Sequence, residues 1–274
     1  MMLHADPQWT LRDEDYEGWQ IRAERSQKWI RVRFAGVTVA SSKRALIVME
    51  IQKLPIYYFP LEDVRTEFLK PSKFQEEDQN VGIKDYWHVA LNGQIIEDAA
   101  WGFATPKLES NFLKGYVAFV WEKAESWLEE EEVFVHARDP YTRIDAIPSS
   151  RRVKVIVGGE VVAESTRPVI LYETGLTSRY YLPREDVRME LLTESEKHTR
   201  CPYKGIASFW TVNVNGNQYT DAVWSYAEPL PEVHEIQGLI SFYNEAVDSI
   251  VVDGKPWMLG SNERLPYSLI SCAC

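Results

Sequence analysis

The sequence predicts an all-β protein made of two tandem copies of one small antiparallel domain. Three observations predict it. "YYFPLEDVR" at 57–65 returns as "YYLPREDVR" at 180–188, and the offset of 123 between Pro60 and Pro183 holds without a gap over roughly ninety residues. Asn-Gly and Gly-Gly pairs interrupt alternating β-branched and aromatic runs, which is the strongest short-range hairpin signal. Only two short stretches read as helix.

In chain order, residues 1–27 form an N-terminal extension and 28–138 the first copy. Within that copy, "VRFAGVTVAS" and "YWHVALNGQIIEDAAW" are the predicted hairpins. Residues 139–148 of "DPYTRIDAIPSS" read as a linker, because prolines and serines punctuate structure. The second copy spans 149–257, with hairpins in "KVIVGGEVVAES" and "FWTVNVNGNQYTDAVW". One helical turn is predicted in "PREDVRMELL", and a short helix before a last strand in "PLPEVHEIQGLISFY". Residues 258–274 are a C-terminal tail.

Charge and cysteine usage narrow the function classes. With 41 acidic against 30 basic residues and a formal charge of −11, the chain repels phosphate backbones and anionic lipid, so neither nucleic acid nor a membrane is an expected partner. No window approaches the apolar length of a membrane span, and acids occupy the N-terminus where a signal peptide needs apolar residues. Three cysteines make no disulfide framework, which suits a reducing compartment, and the cytoplasm is the expected location. Cys272 and Cys274 in the ending "LISCAC" resemble the doubly prenylated terminus of small vesicle-traffic GTPases, but no P-loop accompanies them, and a frayed tail is the plainer reading.

"YYLPREDVR", "CPYKG", "DAVWSY" and "GLISFYNEAVD" resemble motifs of the family described as domain of unknown function 427, sometimes filed under a nucleotidyltransferase heading. "RDPYTRIDAIPSSRRVKV" resembles the joint of its tandem form. The resemblance implies a compact, coiled β-fold of the β-tent or Mss4-like kind and no established chemistry. Nucleotidyl transfer needs a phosphate-binding turn followed by an Asp-x-Asp pair for a metal, and the only such triplet, "DED" at 13–15, lies outside both copies. Zinc needs paired C-x-x-C knuckles, whereas Cys201 stands alone and the first copy has Asp78 there. No metal and no cofactor are expected.

Comparing the copies sorts the remaining candidates. Arg44/Arg167, Glu50/Glu173, Asp63/Asp186, Arg65/Arg188, Asp98/Asp221, Trp87/Trp210 and Trp101/Trp224 occur in both, as cross-strand pairs, turn caps and core, or as the lining of a cleft. His198, Cys201, Tyr203 and Lys204 occur only in the second copy, where the first has Gln75, Asp78, Asn80 and Val81, while the turn glycine Gly82/Gly205 is kept. These are proton-transfer types. Lysine beside tyrosine lowers a phenol's pKa, and lysine near cysteine favours a thiolate. The expected reading is a small-molecule enzyme of isomerase, cyclase or hydrolase type acting on an apolar organic substrate. Tyr203, Lys204, His198 and Glu173 are its acid/base groups, and Arg167, Tyr181, Cys201, Trp210, Asp221, Trp224 and Tyr226 line its pocket. A non-catalytic metabolite- or peptide-binding module and a protein-interaction scaffold are the alternatives, and the oligomeric state is open.

Overall fold

The computed structural model describes residues 21–50 and 53–257. The cysteines of the C-terminal tail and most of the N-terminal extension therefore lie outside the described residues. The chain divides into two compact units between Val133 and Phe134. Both are β-structures, and the described helical segments are 3-10 turns of three or six residues.

In the second unit a seven-stranded antiparallel sheet runs, in spatial order, Ile144–Pro148, Val169–Glu173, Arg179–Leu182, Ile240–Phe242, Asn217–Pro229, Gly205–Val214 and Leu192–Cys201. A four-stranded sheet runs Glu160–Ser165, Val153–Val157, Ser249–Val252 and Lys255–Pro256. The first unit repeats both orders, with Ile21–Arg25 at the position of Ile144–Pro148 and Leu69–Asp78 at that of Leu192–Cys201. The segment read as a linker thus contributes an edge strand: Ile144–Pro148 pairs with Val169–Glu173, as Ile21–Arg25 pairs with Leu46–Glu50. Its alternating Ile144, Ala146 pattern packs on the core, which outweighs the turn signal of its flanking prolines and serines.

The two stretches expected to be helical are tighter than an α-helix. "PREDVRMELL" holds two 3-10 turns, Arg184–Asp186 and Met189–Leu191, and "PLPEVHEIQGLISFY" holds Pro231–Ile236 ahead of the strand Ile240–Phe242. Each is too short to pay back α-helix nucleation, and packing sets its shape instead.

Strand alternation gives the large sheet two buried faces. Tyr180, Ile170, Trp210, Val223 and Phe242 point inward and pack with Val153, Val155 and Val252 of the small sheet. Tyr181, Leu171, Phe209 and Trp224, one residue along, point the other way and pack with Tyr226, Val233 and Ile236, so that the 3-10 turn Pro231–Ile236 covers this second face. Among the described residues no helix is long and apolar enough to cross a membrane.

Candidate functional site

The hairpin turn carrying "CPYKG" joins the strands Leu192–Cys201 and Gly205–Val214, closed by the pairing of Cys201 with Gly205. Gly205 has φ +105, and an added Cβ would meet the Glu228 carbonyl at 3.1 Å, so the turn needs glycine here as it does at Gly82. In the first unit the Asp78 carboxylate holds the turn, accepting the N–H groups of Asn80 and Val81, each at 3.0 Å. In the second unit a buried Cys201 takes that place. The turn is common to both units; what it carries differs.

It carries Lys204 into the interior. Lys204 Nζ donates to Glu173 Oε2 with both side chains almost wholly buried, at 3% and 7% exposure. Burial pushes the Tyr181 phenol well above its usual range, with the Lys204 charge and the Trp224 hydrogen bond pulling the other way. Trp224 Nε1 donates to Tyr181 Oη at 3.0 Å, and the two rings meet edge to face. Tyr226 adds a third ring, and half-buried Tyr243 lies 4.3 Å from Trp224. Arg179 sits above both Trp224 and Tyr243 while donating to Asn244 Oδ1 at 2.8 Å and pairing with Glu245. Ser241 is paired across the sheet with both Tyr181 and Trp224, so its side chain shares their face. Its Oγ is fully buried and has no hydrogen-bond partner.

The structure therefore brings together Glu173, Lys204, Tyr181, Trp224 and Tyr226 of the sequence-predicted set. Cys201 and Tyr203 sit in the turn that carries Lys204, and the others lie elsewhere. Trp210 pairs with Val223 while Phe209 pairs with Trp224, so Trp210 belongs to the opposite, inner face. His198 is exposed on the edge strand opposite Ser208, its Nδ1 at 3.0 Å from the Glu196 carbonyl. Arg167 clamps the 3-10 turn Arg184–Asp186 through Glu185 and Asp186 at 2.8 and 3.2 Å, just as Arg44 clamps Glu62 and Asp63 in the first unit. Asp221 stands at a β-bulge with φ +52, 3.6 Å from Lys197.

Tyr203, next to Lys204, bonds to the segment ahead of the edge strand Ile144–Pro148, although the Glu173 charge still reaches it. Its Oη accepts the Asp139 N–H at 2.7 Å and its ring packs beside His136. Burial is the main reason its pKa is pushed up to about 12. The folded state thus favours the protonated phenol, so this contribution to stability is complete below the ordinary tyrosine pKa of about 10 and is lost as pH rises through about 12. A Tyr203→Phe variant should accordingly lose less stability than the wild type on going from pH 9 to pH 12, read by urea denaturation at each pH.

Arg179, Ser241 and Tyr243 are not among the sequence-predicted site residues, although the last two lie in "GLISFYNEAVD". They become visible on subtracting one copy from the other. Five positions of this face, Arg179, Lys204, Tyr226, Ser241 and Tyr243, align at the constant offset with Ile56, Val81, Phe103, Ala118 and Val120, all of which pack in one apolar cluster of the first unit. Glu50, Tyr58 and Trp101 match Glu173, Tyr181 and Trp224. The first unit still neutralises its carboxylate, but with Lys53, three residues further along the chain, which reaches Glu50 at 2.6 Å and is 47% exposed. Among the described residues no group of three His, Cys, Asp or Glu side chains is placed to hold a metal ion.

No curated protein matches the chain. The model of the family described as domain of unknown function (DUF427) matches residues 22–130 and again 145–253. Two matches of this extent, each spanning a sheet pair of the same strand order, mean that the chain belongs to the DUF427 family and carries its domain twice.

Proposed function

We propose that the second unit is a small-molecule enzyme whose site is the Tyr181–Trp224–Tyr226 face and whose proton-transfer pair is Glu173–Lys204. The first unit keeps the same framework with apolar side chains at the matching positions. One observation carries this: in an ungapped duplication, five positions that are apolar in one copy are polar or aromatic-polar in the other, and all five share one face. Stability does not explain the change. A buried ion pair gives little net stabilisation, and a fully buried hydroxyl without a partner costs about 1–3 kcal/mol, so a sequence selected for packing alone would keep valine and alanine. Half-buried Arg179, Tyr243 and Asn244 form the rim through which a ligand would reach the Trp224 ring. Tyr203 and His198, expected as further acid/base groups, hold the turn and the edge strand in this reading.

Because Lys204 and Glu173 neutralise each other in the resting protein, binding without turnover is the second reading. Both are tested by giving this face the first unit's residues. A triple variant Arg179→Ile, Tyr226→Phe, Ser241→Ala is titrated alongside the wild type with benzaldehyde, cyclohexanone, benzoate and cyclohexanecarboxylate, following tryptophan fluorescence and the appearance of product. At least one compound should saturate the wild type, with its affinity cut at least tenfold in the triple variant. If none binds the wild type, or the triple variant binds equally well, the proposal fails; saturation without product leaves the non-catalytic reading.

A further inference from the structure

We infer that Lys204 is an amine nucleophile, and that the second unit takes an aldehyde or ketone and joins it to Lys204 Nζ as an imine. This rests on the reading that a small molecule enters the Trp224 face, and it names the substrate class that the face would accept.

Four features carry it. Lys204 is the only buried lysine among the described residues. Its backbone is fixed by a turn that tolerates only glycine at Gly205 and by the Leu230 N–H, which donates to the Lys204 carbonyl at 3.0 Å. Its ammonium donates to a carboxylate, Glu173, able to take the proton that an ammonium must lose before it can attack. The rings of Tyr181, Tyr226 and Trp224 exclude water from the same core, which protects an imine from hydrolysis. Ser241, whose hydroxyl has no partner, supplies an unused donor on that face for an oxygen of the ligand.

The chemistry balances without any further reactant. Glu173 takes a proton from Lys204. The free amine attacks the carbonyl carbon, forming the C–N bond while the carbonyl π pair moves to oxygen, and proton exchange gives a neutral carbinolamine. Glu173 then returns its proton to the carbinolamine hydroxyl, the C–O bond breaks, and water leaves. The product is a protonated imine facing the Glu173 carboxylate, so the site ends with the charges it began with. Lys53, the first unit's ammonium, is the built-in contrast. Burial acts to lower its pKa, but Glu50 and Asp78, at 2.6 and 3.6 Å, raise it on balance, and its half-exposed position leaves any imine open to water.

The full-length protein is incubated with benzaldehyde below one equivalent, reduced with borohydride, digested and mapped by mass spectrometry. The reduced adduct should concentrate on the peptide containing Lys204 and vanish in Lys204→Arg, which keeps the charge and whose fold is checked by near-ultraviolet circular dichroism. Glu173→Gln, which keeps the amine but removes the proton acceptor, should slow labelling at Lys204 by at least about tenfold. Label spread over surface lysines with no preference for Lys204 overturns the inference, as does Lys204→Arg labelling like the wild type. If the aldehyde saturates tryptophan fluorescence yet Lys204 stays unlabelled, the imine step falls and the binding face stands; an aldehyde that neither binds nor labels removes both.

Discussion

Glu173→Leu should destabilise the second unit by about 3–5 kcal/mol, while the double variant Glu173→Leu, Lys204→Met should return to within about 1 kcal/mol of the wild type. The asymmetry follows from the burial of both side chains. Removing the carboxylate alone leaves the Lys204 ammonium in a nearly dry core with no counter-charge, whereas removing both replaces an ion pair of little net worth by apolar groups of similar volume. The corresponding change in the first unit, Glu50→Leu, should cost much less, because Lys53 is half exposed and can turn to water. Urea denaturation, fitted with separate transitions for the two units, measures all three variants. A double variant as unstable as the single one would mean that the pair is a structural cornerstone, and the functional reading of this face would lose its main support.

Trp224→Ala should cost the second unit about 3–5 kcal/mol, the usual loss for truncating a fully buried large ring. The ring has contacts on several sides: Tyr181 edge-on, Tyr243 at 4.3 Å and Phe209 opposite it across the strand pair. Its Nε1 also satisfies Tyr181 Oη, so Tyr181→Phe, which removes only the acceptor, should cost about 1–3 kcal/mol by stranding a buried donor. The ratio of the two losses separates packing from hydrogen bonding. Equal losses would show that the indole is held chiefly by its polar bond.

How far the sequence disclosed this arrangement can be followed residue by residue. The repeat, the hairpins and the near-absence of α-helix were legible because period-two alternation and Asn-Gly turns are local signals, and because each copy supports the other. The edge strand Ile144–Pro148 was not, since its prolines and serines mimic a linker and only pairing with Val169–Glu173, some twenty-five residues on, reveals it. Glu173 and Lys204 could be named as candidates, yet their meeting depends on contacts between strands far apart in the chain. The separation of Trp210 from Trp224 was within reach. On the two strands of the Asn215–Gly216 hairpin, strict alternation already assigns them to opposite faces, and the bulge at Asp221 does not change this. Arg179 stands just ahead of "YYLPREDVR" and Ser241 inside "GLISFYNEAVD", and their interest arises only from what the other copy has in their place.

The central claim is that the second unit's Trp224 face receives a ligand and the matching face of the first unit does not. Indole N–H resonances read it directly, since Trp224 and Trp101 occupy equivalent positions and can be assigned by single Trp→Phe variants. Titrating 15N-labelled protein with the tightest binder among benzaldehyde, cyclohexanone, benzoate and cyclohexanecarboxylate should move the Trp224 Nε1 resonance, through its bond to Tyr181, and leave that of Trp101 in place. A shift at Trp101 with none at Trp224, or equal shifts at both, would contradict the account.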